Sequence, residues 1–198
     1  MARNLALWTA ACLLAICLAP AKAFGGAPKD QIQETIQRAL QIVNGAAGAS
    51  DSARKDNLRE VLMPKFDWAE MAKRTLGKHW DNNPSRQEEF IAAFGEFLGN
   101  VYAGKIGSFR DEKILFGDES IVENHAQVNT KIVLAKGEPT SVNYRLHLVQ
   151  GEWKIYDVIL DDISLVGNYR SQFNRILSKG SFEDLLRQLR DKESKVRN

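Results

Sequence analysis

Apolar residues recur at helical spacing through the first half of the chain. Ile32, Ile36, Leu40 and Val43 form one stripe, with Asp30 and Gln33 placed to open the helix. Gly45-Ala46-Ala47-Gly48-Ala49-Ser50 is a small-residue break, and a second helix carries Leu58, Val61 and Leu62 up to Pro64. Asp67-x-x-Glu70 reads as a capping pair for a short helix through Trp68, Met71, Ala72 and Leu76, with Gly77 as its left-handed terminator. Pro84 and Ser85-x-x-Glu88 then predict the start of a longer helix, in which Phe90, Phe94, Phe97 and Val101 share a face widened by Ile91, Leu98 and Tyr102. Gly95 and Gly99 each cost that helix roughly 1 kcal/mol against alanine. Their presence predicts close backbone approach or room left open.

From Asp111 the period changes to two. Ile114 and Phe116 alternate with Lys113 and Leu115. Val122, Asn124, Ala126, Val128, Thr130, Ile132 and Leu134 read as one face of a single strand whose other face is polar. After a turn at Lys136-Gly137-Glu138-Pro139, Val142, Tyr144, Leu146 and Leu148 alternate with Ser141, Asn143, Arg145 and His147. Gln150-Gly151-Glu152 turns the chain into a last strand, Trp153 to Leu160, which is apolar on both faces. Short turns between successive strands predict an antiparallel meander. A helix with Leu165, Tyr169, Phe173, Ile176 and Leu177 follows. Beyond Gly180-Ser181 comes another, with Phe182, Leu185, Leu186 and Leu189, and the tail from Arg190 to Asn198 reads as a fraying end or disordered.

The expected architecture is α+β: a curved antiparallel sheet of about four strands with helices packed on it, helical over 28–105, sheet over 111–162 and helical over 164–195. Helices on the concave side enclose a cone-shaped volume, and periodicity leaves open whether that volume is filled or hollow.

Composition changes this picture at one end only. Arg3, the apolar run Leu5 to Leu18 and Ala21-Lys22-Ala23 are the three parts of a secretory signal, so residues 1–23 are expected to be removed and 24–198 to form one domain. Both cysteines, Cys12 and Cys17, fall in that segment, which leaves no thiol chemistry for the rest. Without Arg3 and Lys22 the 27 basic residues fall into balance with the 25 acidic ones. No global basic footprint for nucleic acid remains.

Candidate chemistry is sparse. His79, His125 and His147 have no metal-ligand spacing, and two of them sit on polar strand faces where solvated histidines are common. Asp161-Asp162 precede Ser164 at a helix start, where exposed N–H groups favour negative charge. No nucleophile elbow or phosphate loop is present. We therefore expect no catalytic residues, no metal and no cofactor. Arg145 reads as a surface arginine. Arg170 is open between that and a cation at a pocket mouth, able to fork onto a phosphate.

Four stretches stand out when taken in order. They are Phe66-Asp67-Trp68-Ala69-Glu70-Met71-Ala72-Lys73-Arg74-Thr75-Leu76-Gly77 with His79-Trp80, and the Glu89-Phe90-x-x-Ala93-Phe94-x-x-Phe97-Leu98 helix ending in Tyr102. The others are Trp153-Lys154-Ile155-Tyr156-Asp157-Val158, and Ser164-Leu165-Val166-x-Asn168-Tyr169-Arg170-x-x-Phe173 followed by Gly180-Ser181-Phe182 and a leucine helix. The ordered set resembles the MlaC family of periplasmic phospholipid-binding proteins, also known as toluene-tolerance proteins. Asp162 departs from the pattern, standing where the family has a small residue, often Gly.

The resemblance implies a nuclear-transport-factor-like cone with an apolar cavity. It implies a phospholipid shuttle with no enzymatic activity that maintains outer-membrane lipid asymmetry. The implied partners are an outer-membrane lipoprotein–porin complex and the MlaD-type ring of an inner-membrane ABC transporter, with no nucleic acid; we expect a monomer. Two tails carry ~30 methylenes, each costing ~0.8 kcal/mol in water, and need a cavity near the top of the usual ~300–1,000 Å³ range. From face and family, the expected lipid-binding residues are Trp80, Phe94, Phe97, Leu98, Val101 and Tyr102 on helices, and Tyr144, Leu146, Trp153, Ile155 and Tyr156 on the sheet. Tyr169 and Phe173 close the lining, with Arg170 near the mouth. The competing readings are a carrier of hopanoid or another lipid, an interaction module with a filled core, and a small hydrolase in the cone.

Overall fold

The computed structural model describes residues 26–45, 50–107, 109, 112–133 and 137–197. The expected signal, the mature start at Phe24, most of the 45–50 break, Leu134 and Lys136 lie outside the described residues.

Four helices come first: α1 (Pro28–Gly45), α2 (Asp51–Leu62), α3 (Trp68–Leu76) and α4 (Gln87–Gly107). Five strands follow: β1 (Lys113–Val122), β2 (His125–Val133), β3 (Thr140–Val149), β4 (Glu152–Leu160) and the two-residue β5 (Ile163–Ser164). Helices α5 (Leu165–Leu177) and α6 (Phe182–Arg197) end the fold. The strands run in spatial order β1-β2-β3-β4-β5, each antiparallel to the next, as an open sheet. The class is α+β, with a curved, unclosed sheet.

Local chemistry explains most boundaries. Asp67 caps α3 by accepting from Glu70 N at 2.9 Å, and Gly77 ends it at φ 52°. Ser164 caps α5 by accepting from Gly167 N at 2.9 Å. The turn between β3 and β4 puts Gln150 and Gly151 at positive φ, and that between β4 and β5 does the same with Asp161 and Asp162. Both match the twist of a two-residue hairpin. Aspartate tolerates this region, so Asp162 makes the turn without the glycine. Asp161 locks it from both sides: its N donates to Ser141 O at 3.0 Å and its Oδ1 accepts from Ser141 N at 2.8 Å.

Two expectations are corrected, and the tail takes the helical one of its two readings. Val122 does not begin the second strand: it ends β1, and Glu123-Asn124 is a two-residue turn with Glu123 at φ 53°. Ser85 forms no cap, because Pro84–Arg86 is a separate 3-10 turn leading into α4. Ser181 and Asp184 make the reciprocal box instead: Asp184 N donates to Ser181 Oγ at 3.1 Å, and Ser181 N donates to Asp184 Oδ2 at 2.8 Å. Helix α6 then runs on through the polar tail to Arg197.

The two-faced last strand has a geometric cause. Arg145 pairs with Asp157 and Leu146 with Ile155, which leaves Tyr156 as a bulge. The bulge flips the alternation, so Ile155, Val158 and Leu160 turn to one face while Asp157 and Ile159 turn to the other.

Candidate functional site: an apolar cavity between α1, α4 and the sheet

Two parts of the interior are packed in different ways. Around the N-terminal half of α4, Phe90, Phe94, Tyr169, Phe173 and Phe182 meet ring to ring at 5.5–5.9 Å between centroids. Helices α5 and α6 supply the partners, with Leu185 and Leu186 fully buried beside them. This region is filled.

Around the C-terminal half of α4 the chain leaves a cavity of about 430 Å³. Its wall takes Ile32, Ile36, Ala39 and Leu40 from α1, Leu62 from the end of α2, Met63 and Phe66 from the run into α3, and Trp68 and Met71 from α3 itself. From α4 and the segment beyond it come Leu98, Gly99, Tyr102, Ala103, Ile106 and Phe109. The sheet adds Ile114, Ile132, Val142, Tyr144, Ile155, Val158 and Leu160. The β4 bulge is what turns Val158 and Leu160 onto this wall.

Glycine explains the shape at one corner. A Cβ on Gly99 would lie 2.8 Å from Arg59 Nη1 and 2.8 Å from Met63 Sδ. At Gly99 those two side chains lie flat on α4, so side chains rather than backbone make the close approach there. Trp68 is fixed above Gly95 by donating its Nε1 to Met63 O at 2.9 Å.

Polar groups on the wall are few. Thr35 Oγ1 is used by its own helix, donating to Gln31 O at 2.7 Å. Burial pushes the Tyr144 phenol up to about 12, against a hydrogen bond with Thr130 that lowers it, and burial alone raises that of Tyr102. The charged side chains on the wall are Arg59, Lys65 and Lys105, and no Asp or Glu is among its described residues. Such a wall excludes water from one apolar occupant; it offers no paired groups for proton transfer. No group of three or more His, Cys, Asp or Glu among the described residues is placed to hold a metal ion, and no described helix is long and apolar enough to cross a membrane.

The sequence profile of the family described as MlaC protein matches residues 33–191. The chain belongs to the MlaC family. One similar protein is the intermembrane phospholipid transport system binding protein MlaC of Haemophilus influenzae. It is 24% identical over 143 residues, 69% of this chain and 67% of the relative. A similar solved structure is the phospholipid-binding protein from Ralstonia solanacearum in complex with a phospholipid. It has a TM-score of 0.76 and 18% identity, covering 87% of this chain and all of that one. At that identity the likeness carries the fold.

Against this MlaC-family cavity, Leu98, Tyr102, Tyr144 and Ile155 are the nominated residues that line it. Phe94, Phe97, Tyr169 and Phe173 lie in the aromatic cluster, with Trp80 and Val101 packed against the same core. Leu146 and Trp153 fill a small cluster under the start of α1, with Ile32 and Val128. Tyr156, thrown out by the bulge, sits on the opposite face of the sheet beside His125 and His147, with the Arg74 guanidinium 4.4 Å from its ring centre. Arg170 is exposed and lies over Gly77, away from the wall. The remaining polar candidates are structural. His147 contacts Asp67 at 2.9 Å, and Arg145 lies 3.5 Å from the buried Asp157 carboxylate, which accepts from Ser164 Oγ and Val166 N at the start of α5. The α1 stripe, Met63 and Phe66 between α2 and α3, and Ile106 and Phe109 at and beyond the end of α4 were not nominated. Their only signal was inward-facing periodicity, which core residues share.

Proposed function

We propose that this chain is a periplasmic phospholipid carrier, exported on the segment ending near Ala23. In this reading it passes lipid between an outer-membrane lipoprotein–porin complex and the MlaD-type ring of an inner-membrane ABC transporter, and so maintains outer-membrane lipid asymmetry. It works as a monomer, with lipid as cargo, no cofactor and no reaction. The observation that carries the reading is the cavity of about 430 Å³ with a nearly unbroken apolar wall in a family member. The names of the Haemophilus and Ralstonia proteins, both of which refer to phospholipid, support the choice of cargo.

Burying alkyl chain in such a wall recovers ~0.8 kcal/mol per methylene. Transfer from a bilayer is then close to neutral, which is what a carrier requires. The lipid head stays at the surface, so little polar machinery is needed.

The test uses Ala39→Phe, which places a ring in the void, and Leu98→Glu, which places a charge on its wall. Both variants are expected to keep the parent circular dichroism and to lose phospholipid on extraction and mass spectrometry. Folded variants that still co-purify with the parent amount of phospholipid would remove the cavity from the reading. A hopanoid in the same extract would change the cargo.

A further inference from the structure

One end of the β1–β2 hairpin stands clear of the packed body. Residues 117–125 are all exposed. Among the described residues, three of the four exposed large apolar side chains are on β1: Leu115, Ile121 and Val122. Strand β1 also ends the strand order, so no described strand pairs with its outer edge. Sheet edges are usually blunted by lysine, proline or a bulge. Here Gly117 and Asp118 stand opposite Asn129 as a bulge. Beyond it the ladder is regular from Glu119 to Val122, with neither lysine nor proline to guard the edge.

The side chains say what kind of strand fits that edge. Glu119 and Ile121 pair with Val128 and Ala126 and share one face, while Ser120 and Val122 pair with Gln127 and His125 and share the other. The tip is therefore apolar on both faces. Asp118, Glu119 and Glu123 add three carboxylates, and residues 118–123 hold no Lys or Arg. Glu119 Oε2 accepts from the backbone N of Lys29 at 3.0 Å, and no cationic side chain among the described residues pairs with any of the three. An acidic, apolar edge complements an extended segment that is basic and apolar. It repels an anionic bilayer surface. It also disfavours a second copy: antiparallel pairing along the whole of β1 has its axis near Gly117-Asp118 and gathers Asp118 and Glu119 of both copies there.

We propose that the free edge of β1 beyond its bulge is a docking site for an extended, basic segment of a partner protein, which adds to the sheet as a further strand beside β1. Its lysines or arginines meet Asp118, Glu119 and Glu123, and its apolar side chains cover Ile121 and Val122. Main-chain hydrogen bonds to the edge supply the affinity, and the flanking side chains supply the choice of partner. No residue from 117 to 125 belongs to the cavity wall, so the site stands whether or not the cavity carries lipid.

The experiment titrates isotopically labelled protein with a short capped peptide alternating valine and lysine, and follows backbone amide shifts and hydrogen exchange by NMR. The shifts are expected to concentrate in residues 118–123, with the outward amides of β1 exchanging at least tenfold more slowly. The same peptide with glutamate for lysine should bind at least tenfold more weakly, and one N-methylated at every peptide bond should not bind. Ile121→Lys with Val122→Lys should weaken the first peptide at least tenfold while circular dichroism stays at the parent spectrum. Ile121→Ser with Val122→Ser, which adds no charge, should weaken it less. Equal binding of the glutamate or the N-methylated peptide would overturn the proposal. So would shifts centred on another element, or no binding at millimolar peptide. A concentration-dependent dimer abolished by the lysine pair would make a second copy the occupant, and binding to phosphatidylglycerol vesicles lost in the serine pair would make it a bilayer; either result overturns the proposal.

Discussion

In the first half of α4, Phe90 and Phe94 stack at 5.6 Å and are met edge-on by Phe173. In its second half, Leu98, Tyr102 and Ile106 line a void. The two halves carry the same kind of stripe at the same spacing. What differs is the element opposite. Helices α5 and α6 lie directly against the first half and deliver rings and leucines into it. Against the second half stands α2, through Leu58 and Arg59, while α1 and the inner face of the curved sheet form the far walls of the void. A hydrophobic stripe therefore says which way a helix turns, and the neighbouring element decides whether that face is met.

The largest test of this contrast is truncation on each side. Phe94→Ala removes a ring with contacts on every side and should lower unfolding free energy by about 3–5 kcal/mol. Ile36→Ala removes atoms that already face space, so the cavity term is largely spent and the loss should be about 1 kcal/mol. Urea denaturation of both variants measures the difference. Equal losses would mean that the second half is as well packed as the first.

The same contrast explains what was legible in the chain. The class, the helices and the meander follow from periodicity, and the cap at Asp67 follows from chemistry local to four residues. The site was only partly legible. Leu98, Tyr102, Tyr144 and Ile155 were found because they point inward; Phe94 and Phe173 were nominated on the same ground and lie in filled packing. Tyr156 was misplaced by a bulge, a register event between two strands that neither strand records alone. Val122 was misplaced because a two-residue turn at Glu123-Asn124 interrupts what looks like continuous alternation. The Asn there, a turn former, was the available signal.

A smaller effect separates the two glycines of α4. A Cβ at Gly95 would meet the Trp68 ring at 3.5 Å, ordinary contact. Gly95→Ala should therefore stabilise by about 0.5–1 kcal/mol through helix propensity. At Gly99 the same atom lies 2.8 Å from Met63 Sδ and Arg59 Nη1 and must push both flexible side chains aside. Gly99→Ala should give back most of its propensity gain and alter the corner of the cavity. Thermal unfolding of the pair, with the amount of co-purified lipid, reads both. A gain at Gly99 equal to that at Gly95, with lipid unchanged, would show that the corner has no role in shaping the void.

The smallest expected effect lies where α6 is fastened to the filled side. The Asp184 carboxyl is held down to about 2, from an ordinary 3.8, first by the backbone N–H of Ser181, then by the Ser181 hydroxyl and by Arg187. Because the folded value is the lower one, the folded state keeps the carboxylate charged where the unfolded chain has begun to protonate. Its contribution is complete above about pH 4 and is lost as pH falls through 4 toward 2. The site is open to solvent, so the effect is modest and salt-sensitive. Parent protein should melt above Asp184→Asn at pH 6, and the difference should close by pH 2. Leu185, Leu186 and Leu189 sit on the turns that follow this cap, so loosening it exposes the filled side first and leaves the cavity wall in place. A difference in melting temperature that stays constant from pH 6 to pH 2 would show that the Asp184 charge plays no part in holding α6 against α4.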